Sequence, residues 1–153
     1  MTLLIISVGR NSTGPIKELI DTYEKRLRPH VEIEWRIIAP AKENSIENCL
    51  RVESKKILGA LKHHDKLILL DERGAMLDNT RFAEIFQEYM QSQGRLVFLV
   101  GGAYGVDKSI YDRADYKWSI SSLVFPHQLI RLLLIEQIYR TVMINNGHPY
   151  HHM

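Results

Sequence analysis

Short apolar runs alternate with longer stretches whose apolar residues recur every three or four positions, and the alternation continues from one end of the chain to the other. Short continuous apolar runs mark buried strands, whereas the three-or-four spacing marks one face of a helix. Leu3 to Val8 reads as a first strand. Ser12-Thr13-Gly14-Pro15 then punctuates the chain and opens a helix carrying Ile16, Leu19, Ile20, Tyr23 and Leu27 on one face. Val31 to Ile38 is a second strand, Ala39 to Asn44 a polar loop, and Ser45 is placed to cap a helix striped by Ile46, Leu50, Ile57, Leu58 and Leu61. Lys66 to Leu70 is a third strand, ended by the turn-like Asp71-Glu72-Arg73-Gly74. Phe82, Ile85, Phe86, Tyr89 and Met90 follow Asn79-Thr80 at helical spacing, which assigns these aromatics to the core rather than to a stacking platform. Arg95 to Val100 is a fourth strand, Asp107 caps a short helix ending near Arg113, Tyr116 to Ile120 is a fifth strand, and Pro126 opens a final helix as its first residue.

Strands alternating with helices predict an α/β fold with a mainly parallel sheet flanked by helices, and 153 residues suffice for a single domain spanning 1–153. In the final helix Leu129, Ile130, Leu132, Leu133, Leu134, Ile135 and Ile138 cannot share one narrow stripe. The helix must be covered on more than one side, and the expectation is a homodimer with this helix near the interface.

Composition narrows the partners. A formal charge of +2 is too small to imply nucleic acid by itself, so any RNA binding must come from a local patch. The single cysteine, Cys49, cannot form an intramolecular disulfide, which fits a reducing cytoplasm. The apolar stretch Leu129 to Ile144 is interrupted by Arg131, Glu136, Gln137 and Arg140, so no membrane span is expected. His148, His151 and His152 have no carboxylate or thiolate spaced to complete a site, so no metal is expected.

The chemistry-bearing stretch is Arg95 to Asp107, RLVFLVGGAYGVD. A strand stopping at Gly101-Gly102 has no side chains at its carboxyl edge, so a flat ligand could lie against its backbone; a tight turn without ligand has the same signature. GGAYG lacks the spacing of the dinucleotide fingerprint. Gly102 to Ser109, GAYGVDKS, is nearer to a P-loop, with Lys108-Ser109 in place, but Asp107 stands where the second glycine belongs and would repel phosphate. A P-loop-like nucleotide-binding enzyme is the alternative that this near miss leaves, and a noncatalytic ribosome-binding protein is another.

The start LLIISVG, the LLDERG element, FLVGGAYG, the block SISSLVFPHQLIR, IEQIYR and the terminal HPYH occur in this order across the chain. In that combination the chain closely resembles the RlmH family of SPOUT-class methyltransferases. The resemblance implies an S-adenosylmethionine-dependent enzyme that methylates N3 of a pseudouridine in 23S large-subunit ribosomal RNA, on the assembled ribosome. It further implies a SPOUT fold whose C-terminal part is threaded into a deep trefoil knot, although knots are rare enough to reject by default. The matching cofactor-binding positions are Leu70, Gly101, Ile120, Ser121, Ser122, Leu123, Val124 and Phe125, with Gly102 adjoining them.

Methyl transfer from a sulfonium requires positioning, desolvation and help in removing the N3 proton, and neither metal nor covalent enzyme intermediate. His127 is a candidate proton acceptor and Arg140 a candidate catalytic contact, with Arg131, Arg140, His148, Tyr150 and His151 as candidate substrate-binding residues. Glu136 and Arg140 are also spaced for an ordinary ion pair, and Tyr150 could either stack on a base or dock against a dimer partner.

Overall fold

The computed structural model describes residues 1–150. The strands are β1 (Thr2–Val8), β2 (Glu32–Ile38), β3 (Lys66–Met76), β4 (Leu96–Val100) and β5 (Tyr116–Ser119). They form one all-parallel sheet in the order β2-β1-β4-β3-β5. The helices are α1 (Gly14–Leu27), α2 (Ile46–Ala60), α3 (Asn79–Met90), α4 (Lys108–Arg113) and α5 (His127–Asn145). This is the α/β architecture that the alternating pattern predicts.

Successive side chains of a strand point to opposite faces, so each central strand feeds two cores. Leu3 and Ile5 of β1 join Phe98, Ile20, Phe82, Leu134 and Ile138 on the side covered by α1, α3 and α5. Leu4, Ile6 and Val8 join Leu67, Leu69, Leu99, Ile57 and Ile110 on the side of α2 and α4. Continuous apolar runs at β1 and β4 are what a strand buried on both faces requires. β2 lies at one edge of the sheet and alternates instead, with Glu32, Glu34 and Arg36 outermost and Ile33, Trp35 and Ile37 half-buried.

The helix starts follow local chemistry. Ser45 accepts from the Asn48 amide at 3.1 Å, Asp78 from that of Arg81 at 2.8 Å, and Asp107 from that of Ile110 at 3.2 Å. Each satisfies one amide that the first turn cannot pair internally. Pro126 is the N-cap of α5 rather than its first residue, a one-residue difference. β3 departs further from the sequence pattern, because it does not end at Leu70. It resumes beyond Asp71–Gly74, so that both Leu70 and Ala75 are matched to Trp118 of β5. Gly74 permits this return: a Cβ there would lie 2.6 Å from the Lys117 carbonyl.

The last helix packs between α1 and α3, burying Leu134, Ile135, Ile138, Val142 and Met143. Much of the cover that its apolar circumference demands therefore comes from the same chain. Leu129 and Leu133 are half-exposed on the side left over.

The amino edge of the sheet is held by ions. Arg95 donates to both oxygens of Asp65, at 3.1 and 2.7 Å, and the Lys62 amide donates to the same carboxylate at 2.7 Å. Arg113 donates to the Asp65 carbonyl at 2.8 Å. Burial alone would raise the Asp65 pKa, but the hydrogen bonds from Arg95 and Lys62 outweigh it and hold the carboxyl below its ordinary range. A depressed carboxyl contributes stability above its unfolded pKa, and that stability is lost as pH falls through the folded value. Asp65→Asn is expected to destabilise the fold by about 2–3 kcal/mol near neutral pH, with the difference from the parent shrinking in acid. Thermal melts from neutral to pH 3 check this; an equal difference at every pH would refute the ionic account.

Candidate cofactor pocket

In the sheet order, β4, β3 and β5 are neighbours, and because all three are parallel their carboxyl ends meet at one edge. Ligands of open α/β sheets bind at that edge. A cavity of about 580 Å³ opens there, within the size range of small-molecule sites. Three segments wall it: Leu70 to Arg73 after the regular part of β3, Val100 to Val106 after β4, and Trp118 to Ile130 around the start of α5.

The structure brings most of the candidate residues together here. Leu70, Gly101, Gly102, Ile120, Ser121, Leu123, Val124, Phe125 and His127 all line the cavity, and Ser122 sits within the same segment without lining it. Leu123 and Val124 are 69% and 84% exposed, and Tyr104 on the facing loop is 63% exposed, so the rim is apolar and open. Polar groups inside are locally organised. Ser119 Oγ donates to the Ser121 carbonyl at 2.9 Å, and Ser121 Oγ accepts from the Leu123 amide at 3.0 Å.

The glycine pair works differently from a bare shelf. A Cβ at Gly101 would sit 3.1 Å from the Gly105 carbonyl oxygen and 3.2 Å from Val106 Cγ1, and one at Gly102 would sit 3.1 Å from Val8 Cγ1 and 3.4 Å from Glu53 Oε1. Protein atoms already fill the space that the missing side chains vacate. The glycines let the loop close on itself, with the Gly105 amide donating to the Gly102 carbonyl at 3.0 Å, and that closure shapes the wall.

Residues to which the sequence pattern gives no role also belong to the wall. The Asp71–Arg73 segment and Tyr104 line the cavity. Arg73 donates to Asp71 from Nε at 2.9 Å and from Nη2 at 2.8 Å, lowering the Asp71 pKa against the opposing effect of burial, and its guanidinium carbon lies 4.6 Å from the Tyr111 ring centroid. The signal for them was topological: a parallel neighbour of β4 must end beside the glycine loop.

The P-loop-like stretch forms no phosphate cradle. Asp107 is occupied as the α4 N-cap, its carboxyl held low because hydrogen bonds from Ser109, Ser54 and backbone amides outweigh the raising effect of burial. Lys108 pairs with Asp112 on the surface, and neither Lys108 nor Ser109 lines the cavity.

Arg131 lies inside the protein, fully buried. Its Nε donates to Ser7 Oγ at 2.7 Å, and its Nη1 to the Arg10 carbonyl at 2.5 Å, Ser12 Oγ at 3.2 Å and Gln128 Oε1 at 3.3 Å. Nη2 meets no hydrogen-bond partner among the described residues, and a Cβ at Gly9 would come within 2.9 Å of it. Desolvation lowers its pKa. As placed, the guanidinium grips the loop after β1 instead of facing a polynucleotide.

Arg140 and Tyr150 form a separate cluster. Arg140 donates to Glu136 Oε1 at 3.1 and 2.6 Å, the Tyr150 hydroxyl contacts the same oxygen at 3.2 Å, and Arg140 lies 4.9 Å from the Tyr150 ring centroid. The Glu136 carboxylate raises the Arg140 pKa. Burial, together with hydrogen bonding to Tyr23, pushes the Tyr150 phenol up to about 12, so it stays protonated. His148 Nδ1 accepts from the Tyr150 amide at 3.2 Å, and His151 lies outside the described residues. His127 and Arg140 are 13 residues apart on one helix, about 20 Å at 1.5 Å per residue. One chain therefore does not bring its Arg140 to its own pocket.

The chain as a whole is similar to known proteins. Residues 1–151 match the family model described as "Predicted SPOUT methyltransferase". The chain belongs to the SPOUT methyltransferase family. It is 40% identical to a protein of Rhizobium leguminosarum bv. trifolii, 36% to one of Christiangramia forsetii and 37% to one of Parabacteroides distasonis, each match covering 99% of both chains. All three relatives are named "Ribosomal RNA large subunit methyltransferase H". The SPOUT assignment agrees with the resemblance carried by the sequence motifs, and this chain is a methyltransferase.

Gly101→Ala tests the loop-closure account. Pushing the Gly101–Gly105 turn apart should weaken S-adenosylhomocysteine binding about tenfold or more while the chain stays folded, because the added methyl group presses on the loop's own Gly105 and half-buried Val106 and not on a fully buried core side chain. Calorimetry and circular dichroism on one preparation decide it; unchanged affinity in a folded variant would show that the closed turn is irrelevant to the pocket.

Proposed function

We infer that this methyltransferase uses S-adenosylmethionine to methylate N3 of a pseudouridine in 23S ribosomal RNA on the assembled ribosome, acting as a cytoplasmic homodimer. The observation that carries the reading is the convergence of Leu70, Gly101, Ile120, Ser121 and Leu123–Phe125 on one cavity, in a chain whose full-length relatives bear a ribosomal RNA methyltransferase name.

The residues present suit that cofactor. The cavity combines backbone amides and carbonyls, which can read an adenine edge, with Leu70, Leu123 and Phe125, which can cover its faces. No arginine or lysine other than the Asp71-bound Arg73 lines it, so nothing is set out to clamp a triphosphate. When bound, S-adenosylmethionine supplies an electrophilic methyl group on a sulfonium. The chain's part is to exclude water, hold the acceptor in line and draw off the N3 proton. His127, the imidazole on the cavity wall, is the candidate acceptor for that proton.

The separation along α5 supports the homodimer. Arg140, His148 and Tyr150 can approach a cofactor pocket only if they reach that of a second copy, and the half-exposed Leu129 and Leu133 offer apolar surface near the pocket end of the helix. The trefoil knot belongs to the same reading: after β5 at the sheet's edge the chain turns back through residues 120–126 to run between α1 and α3.

Methyl transfer to ribosomes lacking the modification tests the activity, with nucleoside mapping to locate the product. Cofactor binding without transfer would favour the noncatalytic ribosome-binding alternative. A mixing experiment tests the shared site. At a cofactor concentration low enough that Gly101→Ala and Arg140→Ala chains are each strongly impaired alone, their random reassortment should restore about a quarter of the activity that the parent shows under the same conditions, since half the dimers are mixed and each carries one intact site. No recovery after demonstrated exchange would sink the shared-site arrangement.

Arg140→Ala should leave cofactor affinity within a few-fold and lower transfer roughly a hundredfold, whereas an ion pair serving only the helix would give Arg140→Ala and Glu136→Ala the same small effect on melting and none on transfer.

A further inference from the structure

Beyond Glu47, the exposed acid of its first turn, α2 carries a row of exposed cations. Arg51 and Lys55 stand one turn apart, Lys56 flanks them, and Lys62 follows just past the C-cap; all four side chains are exposed. None of the four has a carboxylate within salt-bridge distance among the described residues. Elsewhere Lys17 is paired with Asp21 on α1, Arg81 with Glu84 on α3, and Lys108 with Asp112 on α4, whereas Lys25, Arg26 and Arg28 at the end of α1 are a second exposed group without salt bridges, on the opposite side of the sheet from α2.

The one acid between Asn48 and His64 is Glu53, and it is turned inward. Its Oε2 accepts from the Ala41 amide at 2.9 Å, and its Oε1 lies behind Gly102 of the cofactor loop. Ser54, next along the helix, hydrogen-bonds Asp107 at the far end of that loop. The inner side of α2 thus braces the wall of the pocket, while its outer side presents a row of cations without carboxylate partners, about 15 Å long.

We propose that this outward face, from Arg51 to Lys62, is a docking surface for the phosphodiester backbone of the RNA whose base enters the pocket. Cations spaced along an exposed helix beside an active-site loop are suited to a repeating anion, and phosphate contacts position a polynucleotide without reading its sequence. The overall charge of +2 does not conflict, because the field is local. The proposal rests on the RNA methyltransferase reading, and it adds a surface that the pocket does not contain.

The test compares Lys55→Gln/Lys56→Gln with a control pair on the opposite side of the sheet, Lys25→Gln/Arg28→Gln. Full-length proteins are titrated with purified large ribosomal subunits and with deproteinised 23S RNA over a range of salt concentrations, and S-adenosylhomocysteine affinity is measured alongside. The α2 pair should bind both probes about tenfold more weakly at low salt, with a salt dependence shallower by roughly 1.5 in log–log slope, and with unchanged cofactor affinity. In methylation assays the ribosome KM should rise while kcat holds.

Equal losses in the control pair, or parental affinity and slope in the α2 pair, would overturn the proposal. So would a loss confined to subunits with none on free RNA, which would assign the surface to an acidic protein instead. If the parental protein binds RNA through α2 yet transfers no methyl group, the activity reading fails while the surface stands. Normal transfer and normal RNA binding by the α2 pair would do the opposite, leaving the activity in place and removing the surface.

Discussion

The pocket edge of the molecule depends on one buried arginine without a carboxylate. Arg131 enters the structure from the second turn of α5 and spends its donors on Ser7, Arg10, Ser12 and Gln128, joining the end of β1 to the start of the last helix. A guanidinium removed from water ordinarily needs an anion, and one Nη left without a partner among the described residues shows that neutral oxygens carry the whole burden here. Ser7 is matched to Val100 in the sheet, so the same grip fixes β1 beside the strand that delivers Gly101. The segment Leu123–His127 precedes the arginine by little more than a turn of helix, and its position over the cavity follows from that anchorage.

From that fixed corner the rest of the site is a matter of parallel strands ending together. β3, β4 and β5 aim three segments at one point. The loop after β4 is kept tight by glycines that make room for Gly105, Val106, Val8 and Glu53. The segment after Leu70 leaves the ladder where Asp71 and Arg73 pair, and it rejoins β5 at Ala75, just past Gly74. Walls with an exposed apolar rim at Tyr104, Leu123 and Val124 suit a ligand that is gripped at one end and approached by another molecule at the other.

The element order was legible because burial leaves a strong trace in the sequence. β1 and β4 are continuous apolar runs, and Ser45 and Asp107 are caps by residue type. The bulge after Leu70 was not legible, since Asp-Glu-Arg-Gly looks like a strand end, and only the pairing with β5 reveals the return. The candidate cofactor positions came from motif resemblance, and their meeting in one cavity could not have been deduced from spacing. Arg131 shows the limit most clearly: an arginine in an apolar helix reads equally as a substrate contact or as an interior tie, and the choice depends on Ser7 and Arg10, more than a hundred residues away. Leu134 and Ile138 called for cover, but nothing in their pattern says that α1 and α3 provide most of it.

The two ends of the sheet are unequal in a way that governs how copies of this chain can meet. β5 offers four residues of free edge, and β2 offers seven, but its outward face carries Glu32, Glu34 and Arg36 in alternation. Short or charged edges resist the addition of a foreign strand. Growth of the sheet from molecule to molecule is thereby discouraged at both ends, which leaves the helical surfaces as the place where copies could meet.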